Sequence, residues 1–210
     1  MTIEQYEKKY GTSICDNVEI ISNCLNDNDI LIDIGANTGL LSVKLLEKNP
    51  KVRFILFEPI KKYFDACVNK FGDKENVEVF NLGFSDENKK HKFYCSKLNY
   101  GYNKIFEDTM EIHPNFVEEI DCIRFSDWVG DREVNFIKID AEGHDTNIIK
   151  GMYDWLNNLQ HLPYILFEGG WYEDLETETI NKLKNVYSYN IRLVGRDILA
   201  VPKVKQKNLV

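Results

Sequence analysis

Apolar and polar positions along this chain fall into blocks that switch between two periods. Ile14, Val18, Ile21 and Leu25 recur at helical spacing and predict a helix over 14–25, preceded by a shorter one near 3–9. After the polar Asn26-Asp27-Asn28-Asp29 comes Ile30-Leu31-Ile32-Asp33-Ile34, a continuous apolar run typical of a strand buried on both faces. Leu40, Leu41, Val43, Leu45 and Leu46 then surround a helix over 38–48, which Asn49-Pro50 stops. Residues 52–57 read as a second strand, 61–71 as a helix and 77–82 as a third strand. The rhythm returns with a strand at 134–139, a helix at 146–159 and a strand at 164–167.

Strands alternating with helices of this length imply right-handed βαβ units and a doubly wound sheet. The tail departs from that rhythm. A helix near 175–185 leads to 186–194 and 197–201, separated by Gly195, which reads as a closing hairpin and an antiparallel edge. The expected fold is therefore a single α/β domain of Rossmann-like form. It has a seven-stranded, mostly parallel sheet with helices on both faces. Residues 1–29 are expected to pack as helices on the core, with 30–210 forming the domain proper. Between Gly83 and Val134 lies an insertion, about 84–133, with short strands at 91–95 and 119–125. It leaves the carboxyl end of strand three, the rim where such sheets bind ligands, so it is expected to be the acceptor-binding part of the domain.

Composition narrows the partners. The chain has 210 residues with 43% hydrophobic and 29% charged, an ordinary globular balance, and it has no apolar run approaching the ~20 residues of a membrane span. The N-terminal MTIEQYEKKYGT has no apolar leader core, which fits a cytoplasmic setting. Five cysteines without a CxxC pair argue against a disulfide framework or a closed zinc site. A net charge of −8 disfavours nucleic acid, and Lys203, Lys205 and Lys207 read as a solvated tail. Neither nucleic acid nor membrane is expected as a partner, and a homodimer is left open.

The densest chemical signal is Asp33-Ile34-Gly35-Ala36-Asn37-Thr38-Gly39, a turn from a buried strand into a helix. Free amides at such a turn accept a ligand, and Gly35 and Gly39 give it room to approach. Asn37 stands where the dinucleotide fingerprint has its second glycine, which disfavours a pyrophosphate and a nicotinamide dehydrogenase. Asp33 would repel phosphate but suits a ligand with an ammonium group. Glu58 follows Gly35 by 23 positions (58 − 35), close to the ~20-residue offset at which an acid reaches ribose hydroxyls. Adenosine joined to an amino acid, without phosphate, describes S-adenosylmethionine.

Asp33 to Gly39, the Phe57-Glu58-Pro59 step, Asn81-Leu82-Gly83-Phe84-Ser85-Asp86 and Ile137-Lys138-Ile139-Asp140-Ala141-Glu142-Gly143 together resemble the FkbM family of class I methyltransferases. Members of that family mostly O-methylate sugars and natural products. The resemblance implies a methionine-side pocket from Asp33, Gly35, Ala36, Asn37 and Gly39. It also implies that Glu58 with Pro59 lies at the ribose, that Asn81, Leu82 and Gly83 border the adenine, and that Asp86 is a weaker rim candidate.

Methyl transfer to a hydroxyl needs alignment and a group to take the proton. Asp140 and Glu168 stand at strand carboxyl ends, and Asp140 is expected to border the cofactor as well. Lys138 shares a strand face with Asp140, and reads either as a partner in the cleft or as half of an internal ion pair. His144 has a near-neutral reference pKa that suits a base. The family pattern D-x-E-G-x-E becomes Asp140-Ala141-Glu142-Gly143-His144-Asp145 here, so roles at the last two positions do not transfer directly. Glu142 reads as a capping acid or a catalytic one. A divalent metal shared by Asp140, Glu168 and acceptor hydroxyls is conceivable, with no metal ligand set assigned. His91, His113 and His161 sit apart.

Tyr94, Tyr100, Tyr102, Phe106 and Trp128 are candidates for an aromatic wall, and Trp171 for facing the acceptor. Ser126-Asp127 reads as structural. The acceptor expected is a small molecule, a sugar or nucleotide-linked sugar. The rivals are an RNA or protein methyltransferase and a non-catalytic module that binds S-adenosylmethionine.

Overall fold

A computed structural model describes residues 15–94, 104–105, 117–169 and 178–203. Helix α1 (Cys15–Cys24) leads to β1 (Ile30–Ile34), α2 (Leu40–Lys48), β2 (Arg53–Phe57), α3 (Lys61–Phe71) and β3 (Val77–Phe80). The insertion supplies β4 (Gly83–Ser85), β5 (Lys89–Tyr94), β6 (Lys104–Ile105), β7 (Val117–Arg124) and α4 (Phe125–Val129). The chain then forms β8 (Phe136–Ile139), α5 (Asp145–Lys150), α6 (Tyr153–Leu156), β9 (Tyr164–Glu168), α7 (Glu178–Asn185), β10 (Tyr189–Val194) and β11 (Asp197–Pro202). The helix expected near 3–9 lies outside the described residues.

The main sheet has seven strands in the order β10-β11-β9-β8-β1-β2-β3. Strands β3, β2, β1, β8 and β9 run parallel, while β11 is antiparallel to β9 and β10 closes the edge as a hairpin. The continuous apolar runs are explained by burial on both faces. Ile32, Ile34, Ile55, Phe57, Ile137 and Ile139 enter a core shared with α4 to α7, while Leu31, Phe54, Leu56 and Phe136 enter one shared with α1 to α3. Each fully buried aliphatic or aromatic side chain contributes about 1.5–3 kcal/mol, so this two-sided pattern is what holds the sheet.

Two elements are shorter than their periodicity predicts. The helix expected over 146–159 divides into α5 and α6 because the Gly151 carbonyl accepts the Ser126 amide at 3.0 Å and the Ser126 hydroxyl at 2.8 Å. That hydroxyl in turn accepts the Trp155 amide at 3.1 Å, so Ser126 is structural, as read from sequence. Strand β3 ends at Phe80 because the Asn81 amide donates to the Glu58 and Pro59 carbonyls at 2.9 and 2.8 Å. The chain then leaves for a second sheet of order β4-β7-β5-β6. Its inner face packs Phe93, Ile120 and Cys122 against Ile60 and Tyr63 at the start of α3.

Candidate active site

A cavity of about 280 Å³ opens at the carboxyl ends of β1, β2 and β8. Of the residues read as cofactor-binding, it is lined by Gly35, Ala36, Asn37, Glu58, Pro59, Leu82, Gly83 and Asp140. Lys138 and His144 line it too, whereas Asp33, Gly39 and Asn81 do not. Sequence reasoning missed Asn17, Thr38 and Tyr63, and from the insertion Phe93, Ile120 and Cys122. The alternation Ile120-Asp121-Cys122 within a predicted strand was the signal available for the last two. Nothing local distinguishes Asn17 from its helical neighbours.

Glu58 is the central polar group. It is 4% exposed, and its two carboxylate oxygens accept the Asn37 amide at 2.8 Å and the Ile60 amide at 2.9 Å. Burial pushes its carboxyl up to about 7, although both amides and the Lys138 charge pull the other way. On one side of it, Asn37 Oδ1 and Thr38 Oγ1 are buried with no hydrogen-bond partner.

Both glycines are required by the chain itself, and Gly35 lines the cavity as well while Gly39 does not. Gly35 has φ +76°, and a Cβ there would lie 2.0 Å from the Asp140 carbonyl oxygen. Gly39, also at φ +76°, would place a Cβ 2.6 Å from the Phe71 ring. The first lets the β1 turn pass against the end of β8, and the second lets α2 pack on α3.

Asp33 is also corrected in its surroundings. It is fully buried, accepts the Ser42 hydroxyl at 2.8 Å and pairs with Lys138 at 3.1 Å, so its charge is met from within. Both readings of Lys138 hold at once. Its ammonium pairs with Asp33, donates to the Gly35 carbonyl at 3.2 Å and reaches Asp140 at 3.5 Å. Burial opposes its charge, but the two carboxylates outweigh burial and hold its pKa above the ordinary lysine value.

Because β8 and β9 are parallel neighbours with Ile139 opposite Phe167, Asp140 and Glu168 leave adjacent strand ends. The Asp140 side chain is half exposed. Glu168 stands in a second cavity of about 600 Å³ that also contains Asp140. Asp145 is 1% exposed and accepts the Glu168 amide at 3.2 Å, tying the start of α5 to the end of β9. Burial, then the Asp140 charge, pushes its carboxyl up to about 7. Glu142, in the left-handed region at φ +53°, is pushed up to about 8 by burial and by Asp140, Glu168 and Asp145. The cap of α5 is His144, and no side-chain cap hydrogen bond forms there.

His144 Nε2 lies 2.9 Å from Ser85 Oγ, and Nδ1 lies 3.4 Å from the Asn147 amide. The Ser85 hydroxyl donates to Asp86 at 3.0 Å, so the network is satisfied when Nε2–H donates to Ser85. Burial and the neighbouring His91 hold the imidazole down to about 4, which leaves it neutral near pH 7. Both ring nitrogens are thus engaged by protein groups, which argues against His144 as the base for a ligand.

Trp128 packs in the core against Phe57 at 4.7 Å between centroids and beneath Arg132, not on the cavity. Tyr100, Tyr102, Phe106, His113 and Trp171 lie outside the described residues, as does the Tyr94 side chain. Among the described residues no three or more His, Cys, Asp or Glu are placed to hold a metal ion. Likewise, no helix there is long and apolar enough to cross a membrane.

A parallel sheet with a reversed β11 and a site at the β1, β2 and β8 ends defines a Rossmann-like methyltransferase fold. A putative rRNA methylase from Clostridium thermocellum superposes on it with a TM-score of 0.53 at 14% identity, covering 90% of this chain and 93% of that one. The chain belongs to the FkbM methyltransferase family, whose domain, described as "Methyltransferase FkbM domain", matches residues 33–183. Among curated proteins it is similar to the 2-O-methyltransferase NoeI of Sinorhizobium fredii, 24% identical over 149 residues, covering 63% of this chain and 61% of NoeI. It is also similar to Methyltransferase 1 of Beauveria bassiana, 22% identical over 161 residues, covering 61% of this chain and 60% of that protein. The matched region thus spans less than two thirds of either relative.

Proposed function

We propose that this chain is an S-adenosylmethionine-dependent O-methyltransferase acting on a hydroxyl of a small acceptor, a sugar or nucleotide-linked sugar. The observation that carries the reading is one continuous lining, from Ala36-Asn37-Thr38 past Glu58 to Leu82-Gly83 and on to Asp140. The residues present fit the cofactor. Glu58 is an acceptor for a ribose diol, Ile60, Phe93 and Ile120 form an apolar wall for a purine, and the unpartnered Asn37 and Thr38 oxygens await polar atoms. Lys138, the one lysine among the described lining residues, is already committed to two carboxylates, which suits a ligand without phosphate.

Held beside Glu58 and the Asn37-Thr38 turn, S-adenosylmethionine would supply an electrophilic methyl group on sulfonium sulfur. The chain's part is to aim the hydroxyl and take its proton. Asp140 is the group for that, because it borders both cavities and Lys138 restrains its carboxylate. The activity named for NoeI, a 2-O-methyltransferase, supports oxygen as the accepting atom. The test is mass spectrometry of sugars and nucleotide sugars incubated with the protein and S-adenosylmethionine, with and without a chelator. A gain of one methyl is expected. Failure of S-adenosylmethionine and its demethylated product to bind in calorimetry would overturn the reading.

A further inference from the structure

The two cavities share the lining residues Asn17 and Asp140, which therefore stand at the end of the first cavity nearest the second. In the strand order β8-β1-β2-β3, Leu82 and Gly83 follow β3 at the opposite end, and Glu58 follows β2 between them. A cofactor with its purine toward Leu82-Gly83 and its ribose at Glu58 thus carries its amino acid toward Asn17 and Asp140. The family match over 33–183 includes neither Asn17 nor its partner Asp197.

The ammonium of that amino acid needs an acceptor, and Asp33 does not supply it. Asp33 is fully buried, paired with Lys138 at 3.1 Å and absent from the lining. Asp140 shares Lys138 with Asp33, at 3.5 Å, so it is already met by a positive charge and is left to take the acceptor's proton.

Asn17 has the remaining acceptor. Its Nδ2 donates to Asp197 Oδ2 at 2.6 Å, across 180 positions of chain. A carboxylate only accepts, so the end of the amide facing Asp197 is the NH2 group and the carbonyl oxygen is turned away from it. Burial raises the Asp197 carboxyl above its ordinary range, and the Asn17 hydrogen bond is the largest effect opposing that rise. Reversing the amide would set two acceptors against each other and lose this relief.

Resting on the methyl-transfer reading above, we propose that Asn17 binds the ammonium group of the cofactor's amino acid through its side-chain carbonyl oxygen, and that Asp197 is the positioning residue that orients it.

The test is calorimetry on the full chain at neutral pH with two probes, S-adenosylhomocysteine and the analogue of it that lacks only the amino group. The parent is expected to bind S-adenosylhomocysteine about tenfold or more tighter, as for a hydrogen bond to a charged group. Asn17→Ala and Asp197→Ala should each shrink that preference to about threefold or less, with affinity for the deaminated analogue held within about twofold. The double variant should lose no more than either single one, because both act through one contact. A merely structural role would instead weaken both probes together.

Equal binding of the two probes by the parent, a single variant that keeps the full preference, or equal loss of both probes would each overturn the proposal. So would an Asp140→Asn protein that erases the preference, which would make Asp140 the ammonium's partner. Should Asn17→Ala fail to fold, Asn17→Leu and Asp197→Ala decide by the same outcomes. If S-adenosylhomocysteine does not bind the parent, the methyl-transfer reading falls and this inference with it. Binding without preference for the amino group removes this inference alone.

Discussion

Asp33 and Lys138 are direct cross-strand partners in the parallel β1–β8 ladder, and their side chains form an ion pair of 3.1 Å beneath the site floor. The register puts both on one face of the sheet, the face covered by α1 to α3. Their pairing therefore fixes the lateral position of the turn that carries Ala36 and Asn37 relative to Asp140.

Breaking this pair from one side should be costly, because it leaves a buried charge unmatched. Lys138→Met is expected to lower unfolding free energy by about 3–5 kcal/mol in chemical denaturation, and the double variant Lys138→Met/Asp33→Asn should recover much of it. A single variant as stable as the parent would show that the pair is not desolvated.

The carboxyl of Glu58 sits at about 7 in the folded chain against an ordinary value of 4.5, so the folded state binds the proton more tightly than the unfolded one. Stability should fall as pH rises from 4.5 through 7 and level off above. Asp145, raised from 3.8 to about 7, has the same sign. Melting curves across that window should therefore flatten in Glu58→Gln and in Asp145→Asn. Cofactor affinity should run the other way, rising through pH 7 as Glu58 becomes an ionised acceptor.

His144 has the opposite effect on the acid side. Its folded pKa is about 4 against 6.5, so protonation favours the unfolded chain and stability falls as pH drops from 6.5 toward 4. In His144→Gln the loss between pH 6.5 and 4.5 should be smaller than in the parent, while turnover survives at reduced level. Complete loss of turnover with intact cofactor affinity would restore His144 as the base.

A backbone test separates crowding from strain. Gly35→Ala must move the Asp140 carbonyl, and the loss of stability should exceed about 4 kcal/mol or prevent folding. Gly195→Ala, at φ +62° with nothing within 4 Å of the added Cβ, should cost only about 1–2 kcal/mol of left-handed strain. Thermal unfolding of the two proteins gives the comparison.

Asp140→Asn should reduce turnover by about 10²–10⁴ while S-adenosylmethionine affinity changes little. Single-turnover kinetics beside calorimetry measures both, and unaltered turnover would remove Asp140 from the chemistry.

The strands were legible because a sheet buried on both faces demands apolar residues at successive positions, as at Ile30 to Ile32 and Phe54 to Phe57. Glu58 was legible for the complementary reason, being the first charge after such a run. The same continuity hid the surroundings of Asp33. With no alternation to read, nothing said that its side chain points to Lys138, 105 positions later (138 − 33), rather than into the cleft. The pairing of Ser85 with His144, 59 residues apart, depends on β4 joining β7 in parallel through only three residues. So short a strand leaves no period. At Gly35 and Gly39 the packing reason was hidden, since a sequence shows that a Cβ is missing but not which neighbour requires its absence.

Asn17 and Asp197, hydrogen-bonded at 2.6 Å, stand 180 positions apart. The parallel core from β1 to β9 precedes the hairpin in the chain, whereas the wall of the second cavity at Gly195 to Asp197 comes from the hairpin itself. That single contact ties the first described helix to the last described hairpin, so the two ends of the described chain share one wall.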